Sequence, residues 1–489
     1  MIKKQTLFSD SIIYGISSIS PQLVNFALLP IYTRYLTTAD YGMMALLAIF
    51  SLFYILIAGL GLSQSVFRFY RDDGIDKDVL ISNAFLVVVI SSILMLTLTL
   101  AFSDVIASLL LGSKDYKTLV IIVLLTSSVT SISAILLTVK RVKRQPIQVL
   151  VANLFGLGVQ VPVSLWLVVT MEEKLLGMLV GIFSGSLVIL IIHWVMSRSI
   201  INYRLNIKLL KKLFKYGIHI VPMEILSLSN KNISQIILRS LSGFNSLGVY
   251  SISARFSLPL KSVVDAIAYA YTGFFFQTVK EDKDYSKKLR ISASMYVFFI
   301  SYLWVGVSIW GQELMLIITP VQFHEGVRYI PVISMVSFLS IIYMYLSSGI
   351  NMGKTLKPFT YVNFLGFVVN VISAYLLVKA YGAVGAAYAS IASMTVMILI
   401  STKIANKVFR IKFNTLLILI ITVQSVLFVL FYMYFFENSQ PVIRLIYGFL
   451  LTVLYPISSL LIILFFEIER DVFFKKIKEV FNVKFFPNK

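Results

Sequence analysis

Apolar runs of about twenty residues alternate along this chain with short charged stretches. About 20 residues at 1.5 Å rise cover the roughly 30 Å of a bilayer's hydrocarbon, so each run predicts a transmembrane helix. The runs fall near 11–33, 43–66, 79–102, 118–139, 147–170 and 175–196, then 216–240, 249–280, a ninth ending near 311, 330–350, 359–379, 383–402, 415–436 and 441–466. Backbone polar groups in lipid must be satisfied within each segment, so the expected fold is all-α, a polytopic membrane protein with about 14 transmembrane helices. The first run is interrupted by serines and lacks a small-residue cleavage pattern, which makes it a retained helix rather than a signal peptide.

Two runs depart from the pattern. The stretch 216–240 carries Glu224 and Lys231, and 249–280 carries Arg255, Lys261 and Asp265, all far from the expected ends. At about 100° per residue, Glu224, Lys231 and Gln235 share one stripe; Arg255, Ser262, Asp265 and Tyr269 share another. Lys261 precedes Asp265 by one helical turn, within reach of an ion pair. A charge at the bilayer centre costs at least about 2.5–3.5 kcal/mol on insertion scales, so these side chains must face protein or water. Two helices lining a hydrated cavity are expected, against the alternative of mutually neutralising pairs that only fix packing.

Composition narrows the chemistry. The 58% hydrophobic content excludes an ordinary soluble domain, and the absence of cysteine removes disulfides, thiol catalysis and thiolate metal sites. His193, His219 and His324 are scattered without ligand spacing, so no metal site, catalytic constellation or cofactor is expected. Asp72 and Asp73 read as a solvated loop pair, and no phosphate-cradling glycine loop is present. The net charge of +21 would suit nucleic acid, but the lysines and arginines concentrate in alternate loops, as the positive-inside rule requires of a membrane protein with both termini cytoplasmic.

The halves repeat. Ala152–Val169 aligns with Val362–Lys379 at a constant offset, matching Asn153 with Asn363, Gly156 with Gly366 and Leu167 with Leu377, while Gln160 faces Asn370. Pro146 corresponds to Pro358, the stretch opening at Leu175 to that at Ala383, and Tyr14-Gly15 to Tyr216-Gly217. The expected organisation is a six-helix lobe at 1–196 and a basic amphipathic cytoplasmic linker at 197–217. A second lobe at 218–402, two extra helices within 403–466 and a basic cytoplasmic tail at 467–489 complete it. Parallel repeats of this kind build transporters with the substrate site between lobes.

The segments LPIYTRYLTTADYG from Leu29, GLGLSQSVFRFYRDD from Gly59, KRQP at Lys143 and YGAVGAAYAS at Tyr381 resemble bacterial Wzx-type polysaccharide flippases. These belong to the superfamily that includes multidrug MATE transporters and lipid II flippases. The resemblance implies a V-shaped pair of lobes that moves an undecaprenyl-pyrophosphate-linked oligosaccharide across the cytoplasmic membrane by alternating access. It implies as partners this lipid-linked substrate, membrane lipids, and a polysaccharide polymerase with its chain-length regulator. Cavity cations of the family hold the pyrophosphate or acidic sugars, and Arg255, Lys231, Lys261, Arg34 and Arg68 match that role. Arg presents a planar fork to phosphate oxygens and Lys a point charge. Sugar contacts are expected from Gln22, Asn25, Gln64, Asn153, Gln160, Asn363 and Asn370, with Tyr269, Tyr271 and Tyr302 able to stack. For the asparagines, interhelical hydrogen bonding is an equal alternative. Glu224 and Asp265 are candidates for ion coupling. A multidrug antiporter of the same fold and a membrane polysaccharide polymerase are the competing readings.

Overall fold

The structure is a computed structural model that describes residues 13, 15, 17, 20–201, 205–353, 355, 357–436 and 439–467. The expected tail at 467–489 lies almost wholly outside the described residues. Among these residues every regular element is helical: α1 (20–27), α2 (Leu29–Tyr35), α3 (Thr38–Gly59), α4 (Leu62–Phe69), α5 (Lys77–Ala101), α6 (Ser103–Leu111), α7 (Lys117–Val142), α8 (Pro146–Thr170), α9 (Lys174–Val195) and α10 (Ile207–Phe256). They are followed by α11 (Leu258–Glu281), α12 (Tyr285–Ile318), α13 (Ile330–Ser347), α14 (Lys357–Tyr381), α15 (Ala383–Val408), α16 (Thr415–Phe436) and α17 (Pro441–Glu467). Among the described residues, eleven helical segments are long and apolar enough to cross a membrane. They coincide with all the expected spans but three: 11–33, which lies partly outside the described residues, and 216–240 and 249–280, the two that carry charges.

Local chemistry sets the ends. Thr37 caps α3 in a box with Asp40, whose carboxylate accepts a hydrogen bond from the Thr37 amide N–H at 2.8 Å. At the far end of α3, Leu60 and Gly61 both take left-handed backbone angles, which separates α3 from α4. Helix α10 runs without a break from Ile207 to Gly243, whose φ of 79° kinks it. The last turns of the basic linker are therefore the opening of α10 and not a separate element.

The second polar run is not one helix either. Pro259 lacks an N–H for the Arg255 carbonyl and its ring crowds that turn, so α10 stops at Phe256 and α11 starts at Leu258. Arg255 thus belongs to α10, whereas Ser262, Asp265 and Tyr269 belong to α11.

The residues divide into two compact units. The first comprises Met1–Ile252, Ile318–His324 and Asn370–Ala386. In it α8 and α9 pack at backbone distance through glycine: a Cβ on Gly181 would meet Ser164 at 2.3 Å, and one on Gly177 would lie 2.9 Å from the Leu167 carbonyl oxygen. Gly385 stands in the same relation to the Leu377 carbonyl, at 2.0 Å. Leu167 with Leu377 and Gly177 with Gly385 are equivalent positions of the internal repeat, so the two copies share a packing contact as well as letters.

The second unit comprises Ser253–Ile317, Glu325–Val369 and Ala387–Lys489. Its core is aromatic, with Trp304 stacked on Phe338 at 5.5 Å and its indole N–H donating to the Pro331 carbonyl at 3.0 Å. One charge is sealed inside: Glu313 of α12, 7% exposed, forms an ion pair with Arg444 of α17, whose Nε lies 2.9 Å from Oε1. Arg444 Nη2 donates to Oε2 at 3.2 Å, and the Tyr432 hydroxyl of α16 donates to Oε1 at 2.9 Å.

Candidate functional site

In the first unit, α3 and α4 run against α10 and touch it at both ends. At the start of α3, a Cβ on Gly42 would lie 2.0 Å from the Phe244 carbonyl oxygen and one on Gly248 1.7 Å from that of Thr38. At the other end Gly61 meets Gly217: each would place a Cβ within 2.6 Å of the facing backbone, Gly61 against the Gly217 carbonyl and Gly217 against that of Leu60. Ser65 Oγ donates to the Leu213 carbonyl at 3.0 Å, Phe69 packs edge-on against Tyr216 at 5.4 Å, and Lys212 reaches Asp72 at 3.3 Å. The GLG turn and the Tyr216-Gly217 pair of the sequence are thus the two sides of one backbone contact.

Between these ends lies a pocket of about 150 Å³. Gly59, Gly61, Ser63 and Gln64 line it from the α3–α4 break, Ser131 from α7 and Glu224 from α10. Glu224 is half-buried and makes no hydrogen bond or ion pair with the described residues. The Ser131 hydroxyl is buried and has no partner among the described residues. Its neighbours on α7 are satisfied, Ser127 by the Val123 carbonyl at 2.7 Å and Ser128 by that of Leu124 at 2.9 Å. Ser63 and Ser131 carried no signal in the sequence, because serines in apolar helices ordinarily bond back to their own backbone; only the fold distinguishes the one that does not.

The other expected residues of the first unit scatter over distinct surroundings. Arg34 is exposed in the last turn of α2, Gln22 is exposed on α1, and Lys231 is exposed on α10 without an ion pair among the described residues. Arg68 pairs with Asp72 at 3.1 Å, so the loop carboxylate that read as merely solvated holds both Arg68 and Lys212. Gln160 Nε2 reaches Asn25 Oδ1 at 3.5 Å. Asn153 donates to the Ser17 carbonyl at 2.9 Å, and Asn370, 2% exposed, donates to the Asn230 carbonyl at 2.6 Å. These two asparagines are interhelical bonds, the alternative that the sequence left open.

In the second unit, α11 presents two faces. Leu260, Val264, Tyr271, Phe275 and Thr278 are buried on one. The other exposes Lys261, Asp265, Tyr269 and Thr272 among small residues, and the expected ion pair is present, Lys261 Nζ lying 2.7 Å from Asp265 Oδ2. The ring of Tyr269 is 81% exposed, whereas Tyr271 is buried with its ring 4.4 Å from that of Tyr345 and is committed to packing. Tyr302 is half-buried against the same core. Asn363 bonds to the Phe359 carbonyl of its own helix at 2.9 Å, and Arg255 is half-buried at the end of α10. Among the described residues no three His, Cys, Asp or Glu side chains converge as a metal site.

The fold has known counterparts. The lipid II flippase MurJ in an inward closed conformation superposes with a TM-score of 0.74 at 16% identity, over 94% of this chain and all of that one. An inward-facing multidrug resistance MATE family transporter of the MOP superfamily gives 0.62 at 14% identity, over 81% of this chain and 97% of that one. A MATE structure in the bent conformation gives 0.59 at 15% identity, over 83% and 95%. No curated protein matches at a significant level. A family profile described as polysaccharide biosynthesis protein matches residues 31–328, more than half of the sequence and including the α3–α4 break, Glu224 and α11. This multi-pass membrane protein, with the fold of the flippases and multidrug transporters it resembled in sequence, belongs to the polysaccharide biosynthesis protein family.

Proposed function

We propose that the chain is a transporter, not an enzyme. It carries an undecaprenyl-pyrophosphate-linked oligosaccharide from the inner to the outer leaflet of the bacterial cytoplasmic membrane by ion-coupled alternating access, with both termini cytoplasmic. The observation that carries this reading is the family match over 31–328 on a chain that shares its fold, over 94% of its length, with a lipid II flippase. The lobes are taken as 1–196 and 218–402. Arg255, Lys231, Lys261, Arg34 and Arg68 supply cations for the pyrophosphate, which carries about two negative charges that a guanidinium meets bidentately. The exposed face of α11, with Tyr269 for ring stacking and the Lys261–Asp265 pair for hydroxyl groups, suits sugar. Gln22, Asn25, Gln160 and Asn363 are further polar contacts, whereas Asn153 and Asn370 serve packing. A polymerase and its chain-length regulator would take the product onward into O-antigen or another surface polysaccharide.

The test is the lipid-linked sugar pool of a deletion strain. Single repeat units should accumulate on the inner leaflet, wild type should clear them, and Arg255→Ala should not. An unchanged pool with normal surface polysaccharide would remove the flippase reading. One observation favours the alternative, a multidrug antiporter: Glu224 is a carboxylate unpaired among the described residues, of the kind that attracts organic cations. Drug susceptibility on overexpression separates the two.

A further inference from the structure

We infer that the exposed face of the first turns of α10 is a docking surface for anionic phospholipid, with head-group phosphates at Lys208, Lys211 and Lys215. That the leaflet it meets is the inner one rests on the orientation given with the transport reading above; the surface itself rests on the fold.

The argument begins with how firmly this segment is held. Ser82 Oγ donates to the Ile200 carbonyl at 3.4 Å, and the Asn206 N–H donates to Asn83 Oδ1 at 3.0 Å. The Asn206 side chain accepts in turn from the Leu209 N–H at 3.1 Å, which caps the start of α10. Leu213 is fully buried in a cluster with Val66 of α4 and Leu136 of α7. One face of the helix is thus committed to the protein, and the opposite face is presented outward in a fixed pose.

That outward face is cationic. Lys208, Lys211, Lys212 and Lys215 recur every three or four residues and are all exposed. Lys212 is neutralised by Asp72 at 3.3 Å and lies over the Phe69 ring at 4.4 Å. The other three form no ion pair among the described residues. Of the neighbouring carboxylates, Asp76 caps α5 and Asp78 lies 4.0 Å from Lys143. Like charges one turn apart repel, so the row attracts a surface of many anions.

The apolar residues then select the kind of anion. Leu205 and Ile207 are 65% and 68% exposed, and Ile218 is exposed on the lysine side of the helix. A nucleic acid or an acidic protein would neutralise the lysines and leave these side chains in water. A phospholipid surface takes both, phosphate at the ammonium groups and acyl carbon at leucine and isoleucine, with the lysine stems along the boundary. The depth fits: residues 207–215 cover about 13 Å at 1.5 Å per residue just before the expected span at 216–240, which sets them level with the head groups. Because α10 continues past Gly217, which abuts Gly61 of the α3–α4 break, a lipid that holds the opening of α10 also holds that contact.

The experiment uses the purified full-length protein in nanodiscs of phosphatidylcholine with phosphatidylglycerol as the probe, and native mass spectrometry to count retained lipid. Saturable retention of phosphatidylglycerol is expected, preferred over phosphatidylcholine by roughly a hundredfold, at about fivefold per lysine. Lys208→Gln, Lys211→Gln and Lys215→Gln together should remove that preference, whereas Lys283→Gln with Lys287→Gln, exposed cations at the α11–α12 junction, should keep it. Leu205→Ser with Ile207→Ser should lower retention of both lipids, and unchanged retention there would overturn the apolar half of the contact. No preference, a preference that survives the triple variant, an equal loss in the Lys283 and Lys287 control, or displacement by inorganic phosphate at matched ionic strength would overturn the proposal, the last in favour of a free-anion site. The chain lacks cysteine, so Lys208→Cys should be labelled by an impermeant maleimide in inside-out vesicles alone; labelling on intact cells would overturn the inner-leaflet assignment. Because retention is read without transport, a lipid surface in a protein whose deletion leaves the lipid-linked sugar pool unchanged would refute only the flippase reading.

Discussion

Glu224 and Glu313 are the same residue in two helices of a membrane protein, and their surroundings are opposite. Glu313 is closed in from two helices by an ion pair with Arg444 and by two hydrogen bonds, from that arginine and from a phenolic hydroxyl, and is 7% exposed. Glu224 faces a pocket beside an unsatisfied hydroxyl and has no partner among the described residues. A charge completed by the protein contributes to packing, whereas a charge that the protein leaves incomplete is free to meet a guest. The residue type alone does not make the distinction; the partner count does.

The largest effect that separates the two sites is expected at Arg444. Arg444→Ala leaves Glu313 buried and unpaired, which costs about 3–5 kcal/mol, while Glu224→Gln should leave the unfolding midpoint in detergent unchanged. Equal midpoints for these two variants would break the comparison. Restoring apolar complementarity with Glu313→Leu and Arg444→Leu together should recover most of the loss. Tyr432→Phe comes next: it removes one bond to a charged acceptor, a loss of about 1.5–3 kcal/mol, read by the same unfolding measurement.

A third contrast uses the repeat. Gly217 and Gly15 occupy equivalent positions, yet a Cβ on Gly217 would meet the Leu60 carbonyl oxygen at 2.4 Å while one on Gly15 would meet nothing among the described residues within 4 Å. Gly217→Val should destabilise by about 1–3 kcal/mol through overpacking, and Gly15→Val should have no effect on the midpoint. The smallest effect is expected at Asn370, where Asn370→Leu deletes an interhelical bond worth about 0.6 kcal/mol. A loss several times larger would mean that the Asn370–Asn230 contact does more than join helices.

The sequence announces whatever depends on neighbours within a turn or two of helix. Apolar runs place the spans, the spacing of Lys261 and Asp265 predicts their 2.7 Å pair, and the matched letters at Leu167 and Leu377 anticipate two equal helix contacts. It is silent where the partner lies far along the chain. Glu313 and Arg444 are separated by 131 positions and each stands near a helix end, where a charge looks solvated. The break after Phe256 hinges on Pro259, which could equally have opened a turn or bent a continuous helix. Ser131 differs from Ser127 and Ser128 only in three-dimensional surroundings. Polar residues of the candidate site were therefore easier to name than to assign: Asn153 and Asn370 bond to backbone carbonyls elsewhere in the chain, whereas Glu224 bonds to no described residue.

The Glu313 seal also constrains how the protein is made. Ribosomal synthesis delivers α12 to the membrane well before α16 and α17, so Glu313 enters lipid with neither Tyr432 nor Arg444 yet present. An uncompensated acid in a membrane helix costs up to about 2.5–3.5 kcal/mol on insertion scales, the upper figure holding at the helix centre. The nascent bundle therefore carries a penalty that is relieved only when the final hairpin docks, and a chain stalled before Arg444 would display a buried acid to the cell's membrane quality-control machinery. The two C-terminal helices thus act as the closing step of biogenesis, whatever the finished protein carries.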